Sequence, residues 1–218
     1  MKPFDRYDTS SLPEAQFETG SLGRVLKNKL GIKRKREMDE AESVALKTAT
    51  DKLIGMYDKD HRFTASDIRT MHKIWLGDIY DWAGEYRQVN VSKGDFHFAA
   101  SLHIPQLMAD FAKGPLCKHT PCNFKSMERV FQALAEVHVE LVLIHPFREG
   151  NGRVARLLST LMAFQAGLPM LNFRDIAGKK KKDYFDAISS GLDRDYTLME
   201  KLFEKIIVTS EKISGAEL

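Results

Sequence analysis

The chain has 218 residues, with 33 Lys and Arg against 30 Asp and Glu for a formal charge of +3. Hydrophobic residues at 43% and charged residues at 29% exclude a disordered or collagen-like chain, and a chain this long buries about 70% of its unfolded surface without needing a disulfide or metal. No apolar run approaches the ~18 residues of a membrane helix, Met1–Ser11 has no apolar core for a secretory signal, and Cys117 and Cys122 make no disulfide framework, so a cytoplasmic protein with no membrane partner is expected.

Met1–Gly31, with three glycines and two prolines, reads as a mostly irregular arm. Ser11 and Glu14 fit a capping box for a short helix there. From Asp39 to about Tyr57 the apolar residues keep helical spacing. Thr64 or Ser66 caps the next helix, where Ile68, Met71, Ile74 and Trp75 share a face. The period then changes to two: Val89, Val91, Phe96 and Phe98 alternate with polar residues around Lys93-Gly94-Asp95, a β-hairpin signal. Helical spacing resumes near Ser101–Phe111. Asn123 or Ser126 caps a longer helix with Phe131, Leu134, His138, Leu141 and Val142 on one stripe, and Pro146 ends it. Asn151 or Gly152 opens another, closed by Gly167 and Pro169. Two more follow, near Asp183–Gly191 and Thr197–Val208. The expected architecture is all-α with one hairpin, divided as an arm at 1–37, a domain at 38–210 and a tail at 211–218.

Two basic runs interrupt an otherwise balanced chain. Lys27–Arg36 holds six cations in ten residues, and Lys179–Lys182 holds four lysines. Without interleaved aromatics they read as a solvated linker and a solvated loop, and no nucleic-acid partner is expected. Cys117, His119 and Cys122 fall short of the four ligands of a structural zinc site, so a surface loop is expected.

The chemistry concentrates between the two central helices, in His145-Pro-Phe-Arg-Glu-Gly-Asn-Gly-Arg-Val-Ala-Arg156. Gly150-Asn151-Gly152 lets backbone N–H groups converge where a helix begins, a site for an anion. Arg153 and Arg156, at i and i+3, project from the same side of that first turn. Two cations there oppose the helix dipole, and a polyphosphate would compensate them. Glu149 is the acid at the mouth; beside phosphates a carboxylate implies a divalent cation such as Mg²⁺. His145 is placed to take a proton from a nucleophile. These are the parts of a phosphoryl- or nucleotidyl-transfer site.

This segment, HPFREGNGRVAR, resembles the signature of Fic-domain proteins, HPF-x-[DE]-GN-G-R-x-x-R, at every specified position. Asp78–Ala99 is similar to the segment that carries the family's flap hairpin, and Val25–Ile32 to bacterial members. The resemblance spans about residues 25–210, with its core at 69–166, and implies a Fic-type helical bundle with one β-hairpin flap. It implies AMP transfer from ATP to a Ser, Thr or Tyr hydroxyl of a target protein. His145 would be the base, Glu149 the Mg²⁺ ligand, and Gly150, Asn151 and Gly152 the anion hole, with the Asn151 amide on phosphate oxygens. Arg153 and Arg156 would grip the β and γ phosphates, and Lys93 and Gly94 would lie beside the nucleotide. The flap strand Val89–Ser92 would pair with the target backbone.

The resemblance leaves other transferred groups open, UMP and phosphocholine among them. Phosphate-transferring relatives typically carry lysine at Gly152, so glycine favours AMP; a basic nucleic-acid-binding regulator with a degenerate core is the alternative from another class. His138 reads as a core histidine, His97 and His103 as surface residues, and Tyr184 either as a core residue or as a wall of the adenine pocket. Many relatives restrain themselves with [ST]-x-x-x-E-[GN], whose glutamate pairs with the second arginine, here Arg156. The nearest match is Ser10 to Glu14, followed by Ala15, so restraint is expected from a separate small antitoxin-like helical partner.

Overall fold

The structure, a computed structural model, describes residues 11–178 and 181–216. Helical spacing becomes α1 (Lys35–Met56) and α2 (Ala65–Leu76), then a hairpin of β1 (Ser92–Lys93) and β2 (Phe96–His97). There follow α3 (Ile104–Phe111), α4 (Met127–Ile144), α5 (Asn151–Gln165), α6 (Lys181–Ser190) and α7 (Thr197–Ala216). The fold is mostly helical with one small antiparallel hairpin, as the periodicity predicts.

Helix α4 is the axis. It buries Val130, Ala133, Leu134, Val137, His138, Leu141 and Val142 among its residues, and packs against α5, α7 and α3. A helix apolar on most sides has to be surrounded. Pro146 does what the sequence requires of it: α4 stops at Ile144, and His145 takes a left-handed conformation with φ 52° and ψ 59°. Gly150, at φ 84°, caps α5. A Cβ there would stand 2.5 Å from the Trp75 ring, so glycine is needed both for the turn and for the approach of α2. Helix α2 carries the expected Thr64 cap, a capping box closed by Asp67.

Several expectations are corrected. Helix α1 begins at Lys35, so the end of the first basic run is helical, with Lys35 paired to Asp39 at 2.5 Å. The rest of that run is not a linker, because the Lys29 ammonium donates to the Gly77 carbonyl at 2.7 Å and fastens it to the end of α2. The last helix runs past Val208 to Ala216, so residues 211–216 of the expected tail are helical. The flap strand is Ser92–Lys93 rather than Val89–Ser92. The Cys117–Cys122 segment is not a surface loop, since His119 and Cys122 are buried and His119 Nε2 meets Glu136 at 2.6 Å. Pro13–Ala15 form the short helix expected near Ser11, but Leu12 is its N-cap and no side chain caps it. Ser10, Lys179 and Lys180 lie outside the described residues; Lys181 opens α6.

Candidate active site

The α4–α5 connection, the hairpin and α6 enclose a cavity of about 680 Å³. Of the residues singled out from the sequence, His145, Lys93, Glu149, Gly150, Asn151, Gly152, Arg153 and Arg156 line it. Gly94 does not; it forms the hairpin tip at φ 57°. Tyr184, on α6, lines it too, whereas His97 and His103 are exposed outside it.

His145 is oriented by its surroundings. Its Nδ1 lies 3.0 Å from the Val142 carbonyl. A carbonyl only accepts, so Nδ1 carries the proton and Nε2 keeps a lone pair. Phe98 of the hairpin stacks on the ring with centroids 3.6 Å apart. Burial pushes the His145 pKa down to about 4; the Arg87 and Lys93 charges push the same way, while the Val142 hydrogen bond and Glu149 oppose them. The ring is therefore neutral at pH 7, ready to accept a proton.

The connecting loop is braced from within. Asn151 Oδ1 accepts from the Phe147 N–H, and Asn151 Nδ2 donates to the Phe147 carbonyl, each at 2.8 Å. The Asn151 side-chain amide is thus committed to the loop, which leaves its backbone N–H for an anion. His72, fully buried, accepts from Gly84 N–H through Nδ1 at 2.8 Å, so its Nε2–H donates to the Glu149 carbonyl at 3.1 Å. It also stacks on Phe147 with centroids 3.9 Å apart. With the loop so fixed, the Gly150 carbonyl accepts from the Arg153 and Val154 N–H groups at 2.9 Å each, which leaves the Asn151 and Gly152 N–H groups at the helix start without intrahelical acceptors.

The two arginines differ. Arg153 Nη1 stands 2.7 Å from Glu42 Oε2, an ion pair without the alignment of a hydrogen bond, and Nη2 stands 3.3 Å from Glu149 Oε1. Its guanidinium lies 4.6 Å from the Trp75 ring centroid. Glu42, only 1% exposed, is held in turn by the Tyr80 hydroxyl, which donates to Oε1 at 2.7 Å, and by the Trp75 indole, which donates to its carbonyl at 2.9 Å. The compensation that the sequence leaves to a ligand is already supplied to Arg153 by the chain. Arg156 has no carboxylate partner among the described residues; the Tyr184 hydroxyl meets it, and burial lowers its pKa. That hydroxyl also lies 2.9 Å from His138 Nε2, whose Nδ1 lies 3.0 Å from the Ser159 hydroxyl.

Lys93 reaches across from the hairpin, its ammonium 4.5 Å from the Phe185 ring centroid of α6. Burial lowers its pKa, with Lys181 and Arg156 adding to the effect and Glu149 opposing it. A residue of the second basic run thus stands near the cavity rather than in a remote loop. Glu149 offers the cavity a hard carboxylate, 42% exposed, with Oε1 accepting from Gly150 N–H at 2.9 Å. No group of three or more His, Cys, Asp or Glu that could hold a metal ion occurs among the described residues. This donor set fits Mg²⁺, which takes one or two protein carboxylates and fills its shell with phosphate oxygens and water.

Sequence reasoning misses Glu42, His72, Arg87 and the role of Glu14. Glu42 has a signal: it sits at helical spacing with Met38, Ala49 and Leu53 on the buried face of α1. Glu14 does not approach Arg156. It is buried, and its Oε1 accepts from the N–H groups of Gln88 at 2.6 Å and Val89 at 3.1 Å.

Residues 62–163 match the model of the Fic/DOC family. The "Probable protein adenylyltransferase Fic" of Escherichia coli (strain K12) is 29% identical over 190 residues, which cover 84% of this chain and 88% of the relative. The protein adenylyltransferase VbhT of Bartonella schoenbuchensis is 31% identical over 171 residues, 74% of this chain and 33% of the relative, so this chain matches about a third of that protein. The N-terminal Fic domain of a Bartonella effector protein from Bartonella sp. AR 15-3 superposes with a TM-score of 0.72 at 22% identity, over 96% of this chain and 98% of that one. BepC of Bartonella tribocorum, solved with bound AMPPNP, superposes with a TM-score of 0.66 at 23% identity, over 83% and 91% of the two chains. At these identities the structures establish the shared fold.

Proposed function

The chain carries a Fic domain, and from that premise we propose that it is a protein adenylyltransferase that moves AMP from ATP to a hydroxyl side chain of a target protein. One observation carries the reading: His145, Asn151 and Gly152 of the first turn of α5, Glu149 and Arg156 line one cavity of about 680 Å³. The name of the Escherichia coli relative, matched over most of its length, supports the same activity.

In the proposed reaction His145 Nε2 takes the proton of the target hydroxyl as its oxygen bonds to the α-phosphorus. The bond from that phosphorus to the β-phosphate bridging oxygen breaks, pyrophosphate leaves, and the imidazolium returns its proton to solvent. The α5 amides of Asn151 and Gly152 hold phosphate oxygens. Arg156 takes the γ phosphate, and Arg153, already steadied by Glu42 and Glu149, presents its remaining face to the β phosphate. Glu149 would hold Mg²⁺, which supplies charge neutralisation on the phosphates. Lys93 covers the nucleotide from the hairpin, and Tyr184 borders it from α6. Gly152 leaves room beside Arg156, which suits the AMP-transferring orientation. The target lies along the hairpin edge as an added strand.

An ATP-consuming enzyme of this kind would act in the cytoplasm, and among the described residues no helix is long and apolar enough to cross a membrane. Of the buried glutamates among the described residues, Glu42 pairs with Arg153 and Glu14 with backbone N–H groups, neither with Arg156, which favours restraint by a carboxylate delivered from a separate small antitoxin-like helical partner. Incubation with α-labelled ATP, Mg²⁺ and bacterial lysate tests the reading. Label should pass to protein from wild type and fall ~10²–10⁴-fold with His145→Ala. A variant that labels within twofold of wild type removes His145 as the base.

A further inference from the structure

Arg87 is among the most buried side chains of the described residues, 1% exposed; burial lowers its pKa, and the Glu14 charge opposes that shift. An arginine is placed so only when its donors are otherwise satisfied. Its Nε donates to the His145 carbonyl at 2.7 Å, Nη1 to the Val89 carbonyl at 2.7 Å, and Nη2 to the Ala99 carbonyl at 2.6 Å. Val89 and Ala99 are the two feet of the hairpin; His145 is the residue whose ring faces the cavity. The Arg87 backbone N–H also donates to the Pro146 carbonyl at 2.9 Å. From the other side, Glu14 binds the N–H groups of Gln88 and Val89, and its own carbonyl accepts from Arg148 Nε at 3.0 Å.

We propose that Arg87, backed by Glu14, is a positioning residue that locks both feet of the hairpin to the backbone of His145, so that a target strand laid on the hairpin meets Nε2 in fixed register. This rests on the adenylyltransferase reading. The planar fork of the guanidinium is what allows one side chain to hold three carbonyls; lysine keeps the charge and loses that geometry. The stacking of Phe98 on His145 is a direct gauge of the register, because a ring 3.6 Å away displaces the His145 ring-proton resonances.

The experiment uses the full chain with Arg87→Lys and, as a variant that leaves every buried arginine in place, Glu14→Ala. Three quantities are read: the His145 ring-proton shift by NMR, the affinity for AMPPNP, and transfer of AMP to protein. Both variants should move the His145 resonance toward that of an unstacked histidine and lower transfer, at least tenfold for Arg87→Lys and severalfold for Glu14→Ala. AMPPNP affinity should stay within twofold of wild type. An unmoved resonance in both variants overturns the proposal, as does AMPPNP affinity that falls in parallel with transfer, which would mark a merely structural role. If wild type transfers no AMP, the functional reading fails, and the resonance alone still decides whether Arg87 holds the register. Should Arg87→Lys not fold, Glu14→Ala decides on the same three readings.

Discussion

Arg153 and Arg156 leave the first turn of one helix three residues apart and end in opposite electrostatic surroundings. The Arg153 side is closed: a buried carboxylate from α1, a second from the loop and the face of Trp75 from α2 hold the guanidinium. The Arg156 side is open to the cavity and carries only positive charge, with a tyrosine hydroxyl as neighbour, Arg153 and Lys93 as like charges, and no described carboxylate to neutralise it. A phosphate approaching Arg153 meets a cation whose charge is already shared; one approaching Arg156 meets a full charge in a partly dry site, where it is worth more. The helix dipole adds to the contrast, since only Arg156 opposes it without compensation from the chain. On the proposed reading, the Arg153 side would hold the loop and the Arg156 side would receive the anion.

The largest effect should come from breaking the closed side. Glu42→Ala leaves Arg153 without its buried partner and frees the Tyr80 hydroxyl, a loss of about 3–5 kcal/mol of stability. Urea denaturation measures it, and a change under 1 kcal/mol would mean the pair is not structural. Glu42→Gln, which keeps the contact with Tyr80, should cost less.

On the open side the expected pattern reverses. Arg156→Met removes an unpaired, half-buried cation, so stability should hold or rise slightly, while AMP transfer falls ~10²–10³-fold as transition-state charge goes unanswered. Parallel melts and label-transfer rates check this. A large loss of stability with modest loss of transfer would erase the distinction between the two sides.

The same contrast separates what a sequence displays from what it hides. The segment from His145 to Arg156 is local: base, acid, glycines and arginines are adjacent in the chain, and the helices on either side declare themselves by period and by Pro146. The Arg156 side was legible for that reason. The closed side depends on Glu42, which meets Arg153 across the span of α1, α2, the hairpin and α4, and no spacing rule links such positions. Arg87 and Glu14 are hidden likewise, because their partners are backbone groups, which leave no residue type to read. The two-residue strands escape for another reason: period-two alternation from Val89 to Phe98 reports which faces are buried, whereas ladder pairing stops where Arg87 and Glu14 take over the backbone groups of the hairpin feet.

A third prediction sets the base between the two sides. His145 has its pKa pushed down to about 4 by burial, so the protonated, inactive form accumulates only near and below that value. kcat/KM should therefore stay flat from pH 8 to 5.5, where a histidine at its ordinary pKa of about 6.5 would already have lost roughly tenfold. A limb near pH 6.5 that vanishes in a His145 variant with residual activity would show the ring to be solvated in the working enzyme.

The smallest effect concerns the glycines, which repeat the contrast. Gly150 faces the closed side, with a positive φ and the Trp75 ring 2.5 Å from where a Cβ would stand. Gly152 faces the open side: its φ is not in the left-handed region, and a Cβ there would meet only Arg156 Nη1, at an ordinary 3.5 Å. Gly152→Ala should therefore fold as wild type, gain a few tenths of a kcal/mol from helix propensity, and keep transfer within about twofold. Gly152→Lys carries a longer arm and a charge into the space beside Arg156, so it should fold equally well and lose transfer. The pair distinguishes a glycine required by the backbone from a glycine required by the ligand. If Gly152→Ala transferred as poorly as Gly152→Lys, the loop geometry and not the free volume beside Arg156 would be the reason for glycine at this position.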